Sequence, residues 1–143
     1  MIAIVCIDDN GGMMFNHRRQ SMDRKVREDI IREVKHKTLY MNEYSEGQFK
    51  DEKALLDIRV KESADYSINP GDYYFFEYPD ISKYTDIIEK IIVYHWNRVY
   101  PADKYIDINL KGTEMTIKEV EEFKGYSHDK ITKEVYINEA YKD

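Results

Sequence analysis

Several stretches of this chain gather side chains able to bind a ligand or move a proton. Asn16-His17-Arg18-Arg19-Gln20 is a dense polar run, and its two guanidinium groups suit bidentate contacts to an anionic ligand. A solvated loop accounts for it equally well. Ser21 and Asp23 read as helix-start chemistry, with Ser21 as the cap and Asp23 in the first turn, where the dipole favours an anion. His95-Trp96-Asn97-Arg98 sets an indole between an imidazole and a cation at the end of an apolar run. That is a place where a planar ligand can stack, and packing explains it as well. Ser127-His128-Asp129 contains the three letters of a hydrolytic triad. A triad is defined by geometry rather than adjacency, so the stretch reads as a turn.

Other chemistries lack their residues. His17, His36, His95 and His128 are scattered, without the spacing of a zinc site, so no metal is expected. Gly11-Gly12 is not followed by the Gly-Lys-Ser/Thr of a phosphate-binding loop. Cys6 sits inside an apolar run with no base partner in view and reads as a core residue.

The elements that must position these groups follow from composition and pattern. A chain of 143 residues with 42% hydrophobic and 35% charged residues suits one domain, 1–143, around one core. The apolar runs, such as Ile2 to Ile7, are far too short to span a bilayer. Neither membrane contact nor a signal peptide is expected. A single cysteine cannot form an internal disulfide, which fits a reducing, cytoplasmic compartment. The net charge is −6: residues 1–37 hold eight Lys/Arg against six acids (+2), the remainder 14 against 22 (−8). An acidic surface is a poor partner for phosphate backbones, so nucleic acid is not expected. The basic first quarter suits either a small anion or a charged, solvated helix face.

Ile2 to Ile7 predicts a buried strand, and Asp8-Asp9-Asn10-Gly11-Gly12 a tight turn. Met13 to Gln20 reads as irregular. Met22, Val26, Ile30, Ile31 and Val34 recur at helical spacing, predicting an amphipathic helix over 22–36. Strands are expected at Thr38 to Met41, Ala54 to Val60, Tyr73 to Phe76 and Ile91 to Tyr94, with a short helix after Asn42. Ser45 is a second possible cap. Apolar residues at 81, 84, 87 and 88 predict a helix over 80–90, and Gly125 to Asp129 a turn between two late strands. The sum is an α/β fold: a mixed, mainly parallel central sheet with antiparallel C-terminal strands and flanking helices.

The order of these pieces resembles dihydrofolate reductase over most of the chain. Residues 2–13 look like that family's first strand and the Asp/Asn/Gly-rich loop after it. Gln20-Ser21-Met22-Asp23 stands where the family has the acid that begins its second helix. Residues 38–45 are similar to its strand ending in Met-Gly-Arg-x-Thr. Residues 73–94 resemble the strand, helix and strand that carry its glycine pair, and Asp103 to Asp107 its Asp-x-x-Phe-Pro segment. The resemblance implies that Asp23 is the catalytic carboxylate that holds a pteridine ring and assists its protonation. It places Asn16 to Gln20 in the mobile active-site loop.

Two departures fall on the cofactor. Where the family has its glycine pair, this chain has Phe76-Glu77-Tyr78-Pro79-Asp80; where it has Met-Gly-Arg, this chain has Met41-Asn42-Glu43. Glycines allow close backbone approach to a pyrophosphate and acids repel it, so no cofactor is expected, with NADPH as the alternative. Ligands of open α/β sheets sit at the carboxyl ends of strands. By that rule Arg18, Arg19, Asp23, Asn42 and Ser45 should share one concavity, with Trp96 stacking nearby. The leading expectation is a small nucleotide- or pterin-like ligand bound without standard NADPH-dependent reduction. An active pteridine or nucleotide reductase is the second reading. A protein-interaction module, suggested by 13 tyrosines, is the third. The sequence sets no oligomeric state.

Overall fold

The computed structural model describes residues 1–142. Strand β1 (Ile2–Ile7) lies at the centre of a seven-stranded sheet, and its unbroken apolar run is the consequence of cover on both faces. Asp8 ends the strand. Its buried carboxylate accepts the N–H groups of Asn10 (2.9 Å) and Gly12 (2.7 Å), with Gly11 at φ 77° completing the turn.

The chain then forms a hairpin of β2 (Gly12–Phe15) and β3 (Arg18–Arg19), where irregular structure was expected. Asn16 (φ 51°) and His17 (φ 61°) both adopt the left-handed region a type I′ turn requires, which Asn tolerates well. Helix α1 (Arg24–Val34) starts later than its apolar periodicity suggests. Its N-cap is Asp23, not Ser21: the extended Asp23 (φ −149°) accepts Lys25 N–H at 2.8 Å.

Strand β4 (Thr38–Met41) leads to the short helix α2 (Glu43–Glu46), capped by Asn42, whose Oδ1 accepts Ser45 N–H at 2.9 Å. A 3₁₀ turn at Lys53–Leu55 occupies the first part of the expected 54–60 strand, and β5 is Asp57–Val60. Strand β6 (Tyr73–Phe76) is buried throughout. The helix expected over 80–90 is only a 3₁₀ turn at Ser82–Tyr84. Tertiary partners take the backbone groups a helix would have used. Asp107 accepts Ile81 and Ser82 N–H, each at 3.1 Å, while Asn138 Nδ2 donates to the carbonyls of Thr85 (3.1 Å) and Ile88 (2.8 Å). Ile81 and Ile88 still fill the core.

Strands β7 (Lys90–His95), β8 (Lys104–Tyr105), β9 (Met115–Phe123) and β10 (Ile131–Asn138) complete the chain. The main sheet runs β5-β4-β6-β1-β7-β10-β9, and β3-β2-β8 form a small second sheet. The first five strands of that order are mutually parallel, and β10 pairs antiparallel with both β7 and β9, so the C-terminal pairings are antiparallel as the sequence pattern predicts. Glu119 faces Val135 and Ile117 faces Tyr136, so Lys118 is an extra residue that bulges the outermost strand. Ile2 and Ile4 pack beneath α1 with Val26, Ile30 and Val34. Ala3, Val5 and Ile7 face the opposite core of Phe76, Ile88 and Val93.

Candidate functional site

Two polar clusters lie at the carboxyl ends of the central strands. The first is built on Asp23, which is 2% exposed. Its Oδ1 accepts Lys25 N–H (2.8 Å) and Tyr126 N–H (2.9 Å). Its Oδ2 accepts Ser127 N–H (2.9 Å), the Ser127 hydroxyl (3.2 Å) and His128 Nδ1 (2.8 Å). The carboxylate thus ties the start of α1 to the turn between β9 and β10. Burial pushes its pKa up. The donors from Tyr126, His128, Ser127 and Lys25 outweigh that and hold it at about 2.

Because Asp23 can only accept, His128 carries its proton on Nδ1, leaving Nε2 as an acceptor. The hydroxyls of Ser21 and Tyr100 each lie 3.0 Å from Nε2. Trp96, 3% exposed, stacks on the imidazole with centroids 4.7 Å apart and planes at 24°. The indole expected to meet a ligand is therefore spent on His128.

The second cluster is built on Glu77, which is 7% exposed. Arg19 meets its two oxygens through Nε (2.8 Å) and a terminal nitrogen (3.1 Å). The Ser45 hydroxyl donates at 2.8 Å and Gln48 at 3.3 Å. Arg19 also lies 4.4 Å above the Tyr44 ring. This set joins β3, α2 and the end of β6. Half-buried Cys6 lies near it, and burial, then the Glu77 charge, raises its thiol pKa well above the usual value. A thiol so disposed is a poor nucleophile.

The residues expected to share one concavity are thus divided. Asn16, Arg18 and Arg19 line one cavity of about 300 Å³ with Gln20 and Tyr100. Asp23 lies in the wall of another, of about 650 Å³, between α1 and the turn at 51–55. Arg18, Arg19, Asn42 and Ser45 are not in that wall. Ser45 is fully buried, Asn42 is the cap of α2, and His17 stacks on Tyr78, each side chain committed within the protein. Sequence reasoning did not bring forward Tyr100, nor His128 as the partner of Asp23. The pairing joins residues 105 positions apart, and only the late hairpin folding back on α1 creates it. Among the described residues no group of three or more His, Cys, Asp or Glu is disposed to hold a metal.

The segment at which the resemblance puts a cofactor pyrophosphate offers carboxylates instead of donors. Glu77 is occupied by Arg19, and Asp80 is paired with Lys104 at 2.7 Å. No glycine stands in 76–80.

The fold is that of dihydrofolate reductase. A dihydrofolate reductase from Enterococcus faecalis, in complex with NADP(H) and RAB-propyl, superposes with a TM-score of 0.66, covering 96% of this chain and 95% of that one at 9% identity. No family model and no curated protein matches the sequence. The likeness therefore lies in the fold, with the sequence far diverged. No helix among the described residues is long and apolar enough to cross a membrane.

Proposed function

We propose that this chain is a ligand-binding domain of the dihydrofolate reductase fold that does not carry out NADPH-dependent reduction. The observation that carries the reading is the filling of both reductase positions by the protein's own groups. Asp23, held at about 2 by five donors that outweigh its burial, is ionised at neutral pH, and both of its oxygens are already engaged by the protein's own groups. Glu77 with Arg19 occupies the strand end where a pyrophosphate would need glycine and cationic donors.

The ligand site is the groove of about 650 Å³ between α1 and the 51–55 turn. Its volume falls in the range of small-molecule pockets. Met22, Ile31 and Leu55 supply apolar contact, Tyr126 a ring, and Arg24, 5.7 Å over that ring, a cation. With Asp23, Glu28, Asp51 and Glu52 in the same wall, that set suits a planar, hydrogen-bonding ring of pterin or nucleobase type rather than a strongly anionic molecule. The exposure of Met22, Leu55 and Tyr126 on the rim also favours a second reading, in which a protein partner covers them.

A thermal-shift screen tests this. At 100-fold over its dissociation constant a ligand adds about 2.7 kcal/mol, a shift of several degrees. Pterins or nucleobases should raise the melting temperature, Arg24→Glu should remove the rise, and millimolar NADPH should give none. A clear rise with NADPH would instead favour an active reductase. Silence across the whole screen would favour the interaction module.

A further inference from the structure

We propose that Ser21, His128 and Asp23 form a nucleophilic relay that gives this protein esterase activity toward small esters bearing an anionic group. The inference is independent of the ligand groove beside α1. The atoms stand in the order such a relay needs: Ser21 Oγ to His128 Nε2 at 3.0 Å, and His128 Nδ1 to Asp23 Oδ2 at 2.8 Å. Ser21 and Asp23 are two positions apart, and the imidazole bridges their side chains. The Trp96 face fixes the ring plane, and the Ser127 and Tyr126 N–H groups fix the carboxylate. These are the roles of base, orienting group and support. Asp23 and His128 are buried while Ser21 keeps partial exposure, the arrangement a nucleophile requires.

The cavity of about 300 Å³ lies beside the relay: Tyr100, which reaches Nε2 at 3.0 Å, is in its wall, as is Gln20, the chain neighbour of Ser21, while Ser21 and His128 themselves are not. Two further groups in its wall point to a ligand. Arg18 is exposed and has no ion pair among the described residues, so it is a free anion donor. Gln20 Oε1 is buried with no hydrogen-bond partner, an acceptor that a substrate hydroxyl or amide N–H would satisfy.

In the reaction, Ser21 Oγ attacks the ester carbonyl carbon as its proton passes to His128 Nε2. Because the Ser21 hydroxyl takes the single Nε2 lone pair in this step, the Tyr100 hydroxyl is left to donate to the oxyanion. Collapse breaks the bond to the alcohol, which leaves with the proton from His128. Water, giving its proton to His128, then cleaves the acyl-serine. The acid departs and the proton returns to Ser21.

The test is labelling of the intact protein with a fluorophosphonate, in which Ser21 Oγ displaces fluoride at phosphorus, followed by peptide mass spectrometry. The expected result is one adduct, on Ser21, absent in Ser21→Ala. Its formation should be at least about 100-fold faster than on the urea-unfolded chain, the scale of general-base assistance. Steady-state hydrolysis of the mono-p-nitrophenyl ester of succinate should show a KM raised at least about 10-fold in Arg18→Ala, with kcat retained. Ser21→Ala keeps Asp23 and its donors, so a folding defect is not expected to mimic the loss. A melting curve of that variant checks this. No adduct on Ser21 at millimolar probe, or equal labelling of folded and unfolded protein, would overturn the proposal.

Discussion

Asp23 shows how one carboxylate can join two distant parts of a chain. It receives three backbone and two side-chain donors while almost fully buried. Asp23→Asn would present an amide NH₂ to groups that are themselves donors, and a loss of about 2–4 kcal/mol in urea unfolding is expected. The same residue shapes acid stability. Its pKa falls from the ordinary 3.8 to about 2. Its contribution is therefore fully present above about pH 4 and is lost as pH drops through 2, on the order of 2 kcal/mol. Asp23→Ala should show a shallower decline of stability than the parent between pH 4 and pH 2. Parallel declines would mean that the carboxylate is no better solvated by the folded protein than by water.

Between elements, the junction of β3, α2 and β6 depends on an ion pair whose carboxylate is buried and whose cation is partly so. Arg19 meets both oxygens of Glu77, and its own N–H donates to the Tyr44 hydroxyl at 3.0 Å. Removing only the cation leaves Glu77 buried with Ser45 and Gln48 as neutral donors. Arg19→Met should cost about 3–5 kcal/mol, and the double variant Arg19→Met with Glu77→Met should recover much of that loss. Denaturant midpoints for the parent, both single variants and the double variant check the coupling; additive losses would show that the pair is incidental. A similar junction holds α1 to β10, where Lys133 meets Asp29 at 2.8 Å and Glu33 at 2.9 Å.

For the whole molecule, stability should fall off from the centre of the sheet to its edge. Ile4 is fully buried on the central strand, with α1 over its side chain. Ile4→Ala should cost about 3–4 kcal/mol in transfer and cavity terms. Val120, on outermost β9, is 59% exposed, and Val120→Ala should stay within about 0.5 kcal/mol. Equal losses at both sites would contradict the layering. The bulge at Lys118 and the acids Glu119, Glu121 and Glu122 also make β9 a poor template for pairing with another sheet.

By itself the sequence determined the central strands, α1, the late antiparallel pair and the fold resemblance. These rest on local periodicity and on apolar runs that only a covered sheet can use, as in Ile2–Ile7 and Tyr73–Phe76. It singled out Asp23, the 16–20 run and the acids after β6, which the structure places in two polar clusters near the strand ends. It did not show that Asn16-His17 turns a hairpin, because two neighbouring left-handed residues carry little signal in composition. Nor did it show that 80–90 is not a helix, because Asn138 and Asp107, which satisfy that backbone, lie elsewhere in the chain. Only the tertiary structure decided which polar groups meet. Arg19 went to Glu77, Trp96 to His128, and His128 to Asp23 and Ser21, since a buried charge or imidazole must find its partners wherever the fold brings them within hydrogen-bond reach.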